Sequence, residues 1–525
     1  MSLEFICFSL VFTSLLISYV FLNRCNGIKV DAFSSIVHST DKSNNFNWFF
    51  LLLLLLFVIF FTVNLYIPLI YRHTDSVGYL NSFIRPVLYS GRFFPLGHQE
   101  FNFIRLKDVG FLGLFSIPFF QSLIAGFCLY KIIPIENKNL RVIVAIILFF
   151  SSFSISFSNL IIPERNQLFF LVIFLCVFLN DPSEGKLKFG LLISSLSLYY
   201  KEPTFTIYIA FAFSMIFFRA LSGDLKINKT LKVSLLINRL KVEFYLFLSS
   251  LLFIVNYIVI RLLSPAEELY NQGSTYLEYI SDVLSLKGII QYPFLLMVIF
   301  GVFYFLRFGL NSDYCKKAFL LFSGSVSYGI TIYFLKMPLR EYYFSASIFL
   351  MVLSYLYMLK DCNEKCNVQV LKWLVIMLLS FFLVQTCTIS GKSLIRSKET
   401  QLKISKISNF FSKESHADNL KVYYKFHEIT GDYKSSVMKL LIMTKIKSDF
   451  TMYSSTGCYV WHESSDDGRY KCQKSNFDLS SNYDVIISEK ELDSNYSGYI
   501  EYESLEETIY GKFLNVPVKI FEIGK

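Results

Sequence analysis

The chain has 525 residues, of which 54% are hydrophobic, 18% aromatic and only 17% charged, with a formal net charge of +10. A soluble chain of this length carries close to a quarter of its residues as charges, so the composition excludes an ordinary water-soluble protein. The positive charge gathers into no isolated basic domain and no basic-aromatic module, which excludes a nucleic-acid partner.

Apolar runs recur along most of the chain, and most are long enough to cross a hydrocarbon core of ~30 Å. Twelve spans are predicted, at about 3–22, 48–70, 109–131, 142–160, 165–180, 189–202, 204–221, 243–263, 289–308, 318–335, 343–359 and 372–389. The fifth and sixth are the shortest. Lipid offers no partner to an unpaired backbone amide, and these runs are too long and continuous for barrel strands, so each is expected to be a helix. The first run follows Glu4 rather than a basic residue and lacks a small-x-small site after it, so it reads as a retained span and not as a cleaved signal.

Lys and Arg bias sets the orientation. The loops at 23–46, 131–141, 181–188, 219–241, 307–317 and 360–372 hold 20 Lys and Arg, against 11 in the alternate loops at 71–108, 158–166, 199–203, 261–288 and 336–342. The first set is therefore expected to face the cytoplasm. Twelve spans then put both termini outside. The inward stretch "GDLKINKTLKVSLLINRLKVE" (223–243) suits anionic lipid headgroups.

From about residue 390 the long apolar runs stop. Strand-like stretches at 483–492 and 516–524 and a helical pattern at 435–450 predict a small α/β domain over residues 390–525. The expected architecture is thus an all-α polytopic membrane domain of about 12 helices (1–389), followed by a periplasmic or extracellular α/β domain. Cys458 and Cys472 bracket a fifteen-residue stretch in this tail. In an oxidising compartment they are expected to form a disulfide, worth roughly 3 kcal/mol by chain-entropy arithmetic. Cys362 and Cys366 have no further Cys or His nearby and are not expected to bind metal.

The outward connections hold the candidate chemistry. "YRHTDSVGY" (71–79) places His73, Asp75 and Tyr79 just after the second span, and "YSGRFFPLGHQEFNF" (89–103) adds Arg92, His98 and Glu100. Three tight outward turns join a carboxylate, a cation and a proline: Pro163/Glu164/Arg165, Lys201/Glu202/Pro203 and Pro338/Arg340/Glu341. Proline ends a helix there, and the polar side chains are placed to line a cavity at the membrane face. Arginine and lysine suit a lipid phosphate, and a carboxylate suits deprotonation of a hydroxyl.

This pattern resembles the GT-C superfamily of membrane glycosyltransferases, in which a catalytic carboxylate follows an early membrane helix in the first large outward loop. "DSVGYLNSFIRPVLYSGRFFP" (75–95) is similar to an Asp…Tyr…Gly-Arg pattern of bacterial O-antigen serotype-converting glucosyltransferases. It departs from that pattern in carrying Asp75 followed by Ser76 instead of an adjacent acidic pair, which leaves a divalent metal open. The resemblance implies a polyprenyl-phosphate sugar donor, a glycan or lipid-linked glycan acceptor, and residence in the bacterial cytoplasmic (inner) membrane. Asp75 is then the expected catalytic base. Arg92, Glu164, Arg165, Lys201, Glu202 and Arg340 are the expected donor-phosphate and substrate contacts, and His73, Tyr79, His98 and Glu100 line the site. The alternatives are a polymerase of O-antigen or capsule repeat units and, in another class, a polysaccharide-lipid transporter or flippase.

Overall fold

The computed structural model describes residues 3–25, 27–29, 93–97, 99–105, 110–158, 162–180, 182–222, 239–263, 294–334, 341–364 and 369–413, and seven strands beyond them. The described residues are mostly helical. In chain order the helices are α1 (Leu3–Arg24), α2 (Gln99–Arg105), α3 (Gly110–Ile132), α4 (Lys138–Ser152), α5 (Ser154–Ser158), α6 (Pro163–Phe178) and α7 (Glu184–Ser197). A 3-10 turn, Leu198–Tyr200, separates α7 from α8 (Thr204–Leu221). Then follow α9 (Lys241–Leu263), α10 (Phe294–Phe308), α11 (Asp313–Phe334), α12 (Glu341–Glu364) and α13 (Gln369–Lys413).

Among the described residues, five helical stretches are long and apolar enough to cross a membrane: α1, α8, α9, Tyr343–Glu364 of α12 and Gln369–Ile395 of α13. Shorter apolar helices occupy Ser116–Ile132 and Phe294–Phe308. Each described helix except the seven-residue α2 overlaps a predicted apolar run, but α13 continues past the expected end at 389 to Lys413, and the run at 48–70 lies outside the described residues.

The first compact unit ends at Lys392 and holds all the helices up to that point. Its outward surface is apolar: Phe12, Phe120, Phe213, Leu262, Leu306 and Trp373 are exposed. Its interior carries the polar minority, including a run of buried serines, Ser151, Ser152, Ser154, Ser156 and Ser158. Small hydroxyl residues let helices approach closely, and they return their hydrogen bonds to backbone carbonyls a turn earlier. Ser154 donates to the Phe150 carbonyl and Ser194 to the Leu191 carbonyl in this way. Between helices, Ser195 meets Tyr245 and Ser197 meets Tyr208, each at 2.6 Å, while Ser325 donates to the Ser347 carbonyl at 2.7 Å.

Helix α11 packs against α12 and α8, α6 against α7 and α3, and α9 against α8 and α1. Gly324 on α11 lets α8 come close, since a Cβ there would stand 2.5 Å from Phe211. At the opposite end of α10, Gly309 adopts φ +65° and its N–H returns to the Phe305 carbonyl, closing the helix as a left-handed cap. A buried Asp361 ties the next connection together by accepting from Tyr304 and from Ser312, and Ser312 in turn accepts from the Cys315 N–H.

The second unit contains Ser393–Lys525. Its described backbone comprises the end of α13 and strands β1 (Leu420–Lys425), β2 (Phe450–Ser454), β3 (Gly457–Trp461), β4 (Lys471–Gln473), β5 (Val485–Ser488), β6 (Tyr499–Glu501) and β7 (Lys519–Ile523). They pair in the order β4-β3-β2-β1-β5-β7-β6, with β1 parallel to both β2 and β5 and the other neighbours antiparallel. The strands at 485–488 and 519–523 fall inside the two predicted strand stretches. The predicted helix at 435–450 lies outside the described residues except at Phe450, which begins β2. The register sets Cys458 opposite Gln473 and Cys472 opposite Tyr459, so the two cysteines lie on neighbouring strands one step out of alignment. Their side chains, and with them the expected disulfide, lie outside what the structure describes.

Because Gly324 sits where α8 and α11 touch, Gly324→Val is expected to cost about 1–3 kcal/mol by overpacking. A lowered unfolding midpoint of the purified full-length protein in lipid nanodiscs checks this, with Gly185→Ala, where a Cβ meets open space, as the neutral control.

Candidate functional site

Helix α6 starts with a proline at its first turn. Pro163 needs no amide partner there, and its fixed φ leads an extended Ile162 into the helix. Glu164, Arg165, Asn166 and Gln167 follow immediately, and all four are buried. Glutamate in the first turn of a helix is favoured by the partial positive charge at that end, but burial requires each of these groups to find a partner.

Arg165 is completely buried, and its Nη2 donates to Glu100 Oε1 on α2 at 2.7 Å. The Asn166 side-chain amide donates to the same oxygen at 2.7 Å. Gln121, midway along α3, donates through Nε2 to Asn166 Oδ1 at 2.8 Å. The Arg165 guanidinium also lies 5.3 Å from the centre of the Phe101 ring. Two further residues extend the chain of contacts: Gln167 donates to Thr204 Oγ1 at 2.9 Å and accepts from the Tyr328 hydroxyl at 3.3 Å.

A second ion pair lies on the neighbouring residue. Lys201 Nζ stands 2.5 Å from Glu164 Oε1, with the two side chains 1% and 2% exposed. The same ammonium lies 4.5 Å from the centre of the Tyr343 ring on α12. Glu202, next in sequence, accepts from the Phe93 backbone N–H at 2.9 Å. The Leu96 N–H donates to the Tyr199 carbonyl at 3.2 Å. Residues 93–97 are therefore pinned across the turn between the 3-10 segment and α8.

The structure thus brings together Glu100, Glu164, Arg165, Lys201 and Glu202. It also redistributes their partners. Lys201 and Glu202 are adjacent in sequence, as are Glu164 and Arg165, but the ion pairs run between connections: Arg165 with Glu100, and Lys201 with Glu164. Arg165 and Lys201, two of the four cations expected to meet a phosphate, are charge-balanced by glutamates. Asp75, His73, Tyr79, Arg92, His98 and Arg340 lie outside the described residues, as does the side chain of Glu341.

Sequence reading missed Gln121, Asn166, Gln167, Thr204, Tyr328 and Tyr343. Gln121 carried a usable signal: an amide in the middle of an apolar helix must be hydrogen-bonded or pay a desolvation cost of several kcal/mol, roughly 2–7. Asn166 and Gln167 directly follow Pro163/Glu164/Arg165 but carry no charge, the property that marks the candidate connections. Tyr328 and Tyr343 are ordinary span residues until α11 and α12 are packed against the others.

Buried polar atoms without a hydrogen-bond partner gather here: Glu100 Oε2 and Gln121 Oε1 are two of them among the described residues. Elsewhere Arg219 and Glu243 form a third pair at 2.6 Å, and Lys317 donates to the Leu179 carbonyl at 2.9 Å. Among the described residues no group of three or more His, Cys, Asp and Glu is placed to hold a metal ion.

Arg165→Met leaves the half-buried Glu100 beside Asn166 without its counter-charge and is expected to cost about 2–4 kcal/mol, much of it recovered when Glu100→Gln is added. A double-mutant cycle on thermal unfolding of the full-length protein measures this coupling. No protein-family model, curated protein or solved structure with which the chain was compared matches it.

Proposed function

We propose that the chain is a membrane glycosyltransferase that moves a sugar from a polyprenyl-phosphate donor to a surface glycan on the outer face of the bacterial cytoplasmic membrane. The observation that carries this reading is the convergence of Glu100, Glu164, Arg165, Lys201 and Glu202 in one buried polar cluster. They come from three connections that Lys and Arg bias assigns to the same outer side. A scaffold needs no such gathering of charge in an otherwise apolar unit, because burying ion pairs is at best neutral for stability.

In this reading the chain has twelve spans and a periplasmic α/β domain. Asp75 takes the proton of the acceptor hydroxyl as that oxygen bonds to the anomeric carbon. The bond from this carbon to the phosphate oxygen breaks, and polyprenyl phosphate leaves with the electron pair. Arg165 and Lys201 each already hold a glutamate, so the phosphate falls to Arg92 and Arg340. The two ion pairs hold the connections of the first unit together, and Glu202 holds the chain at Phe93, directly after Arg92.

The placement of buried charge favours this reading over transport. Every buried charged side chain among the described residues lies in a connection or within five residues of a helix end. Transporters instead place ion and substrate sites near the bilayer midplane on broken helices.

Asp75→Asn is expected to abolish transfer of label from a polyprenyl-phosphate sugar to glycan in membrane vesicles while leaving protein levels unchanged. A Glu164→Gln variant should retain some transfer, because it weakens positioning and removes no reacting group. Transfer at the normal rate by Asp75→Asn would falsify the assignment.

A further inference from the structure

The amide relay around Glu100 has a direction. A carboxylate only accepts hydrogen bonds, so Glu100 Oε1 forces Asn166 to present its amide nitrogen. Asn166 Oδ1 therefore faces Gln121, which must answer with Nε2. That fixes Gln121 Oε1 as a further acceptor. Glu100 Oε2 and Gln121 Oε1 are both buried, and neither has a hydrogen-bond partner among the described residues. The relay ends at both sides on oxygens that require a donor.

The charge at this point is balanced, because Arg165 neutralises Glu100. A phosphate gains nothing from two acceptor oxygens, and a cation gains little from a carboxylate already paired. A neutral molecule carrying several hydroxyl groups satisfies both acceptors without bringing charge into a buried site. Gln121 is the twelfth residue of the 23-residue α3, but its partner Asn166 is the fourth residue of α6, so the place lies near the start of α6.

We infer that Glu100 and Gln121 form a hydroxyl-reading pair that binds the sugar ring of the substrate, with Asn166 as the positioning residue that sets the polarity of both. This rests on the reading of the cluster as the substrate site, and it assigns the sugar, not the phosphate, to it.

The test uses the full-length protein in lipid nanodiscs and a panel of methyl glycosides of glucose, galactose, mannose and N-acetylglucosamine, with binding followed by saturation-transfer NMR. At least one glycoside is expected to bind, and Gln121→Met, which keeps the length but removes the acceptor, is expected to weaken it about tenfold. If that variant fails to fold, the monodeoxy analogues of the bound glycoside are titrated into the wild type. Loss of about tenfold on removing one particular hydroxyl supports the pair. Absence of glycoside binding, equal binding by Gln121→Met, or equal binding of all deoxy analogues overturns it. Glycoside binding that depends on Gln121, in a protein that transfers no sugar, upholds the pair and removes the transferase reading. Normal transfer by Gln121→Met does the opposite.

Discussion

A charge inside an apolar helical unit must be met by an opposite charge and by hydrogen bonds, because desolvating it alone costs several kcal/mol or more. Arg165 is where this requirement governs the most structure. Its burial draws Glu100 inward from α2, Glu100 orients Asn166, and Asn166 orients Gln121 on α3. One cation thereby fixes the relative placement of three helices. The neighbouring Glu164 repeats the requirement and draws in Lys201, whose connection also holds residues 93–97 through Glu202.

The remainder of the first unit makes this arrangement tolerable. Its interior sets serine and tyrosine hydroxyls among close-packed leucine and phenylalanine, and further large aliphatic and aromatic side chains face outward. Tyrosine hydroxyls reach serine and backbone partners across helix interfaces, as at Ser195–Tyr245 and at Tyr355 with the Met297 carbonyl. Such contacts specify helix neighbours where hydrophobic burial cannot, since lipid is as apolar as the side chains it would replace. Rigid neighbours in turn hold the polar cluster in one geometry, which is the condition any chemistry at that cluster depends on.

Much of the helical layout was legible because its cause is local. Run length and the cost of an unpaired amide in lipid locate helices without knowledge of their partners, and α3, α8, α9 and α10 stand close to where apolar runs place them. The strands at 485–488 and 519–523 were legible for a similar reason, a short β-branched run between turn signals. The site was legible as a set and not as a circuit. Glu100, Glu164, Arg165, Lys201 and Glu202 announce themselves as charges beside prolines, but which cation meets which carboxylate depends on how α2, α6 and the turn before α8 stack. Neutral members such as Tyr328 and Tyr343 acquire meaning from that stacking alone.

Composition and periodicity by themselves determined that this chain places helices in an apolar medium and concentrates its charge at their ends, because both follow from the solvation of single segments. Tertiary structure decided that Arg165 pairs with Glu100 instead of its neighbour Glu164, that Lys201 takes Glu164 instead of Glu202, and that the relay ends on open acceptors at Glu100 and Gln121. Pairing inside a low-dielectric interior is set by distance between elements remote in sequence, and no local pattern encodes that distance.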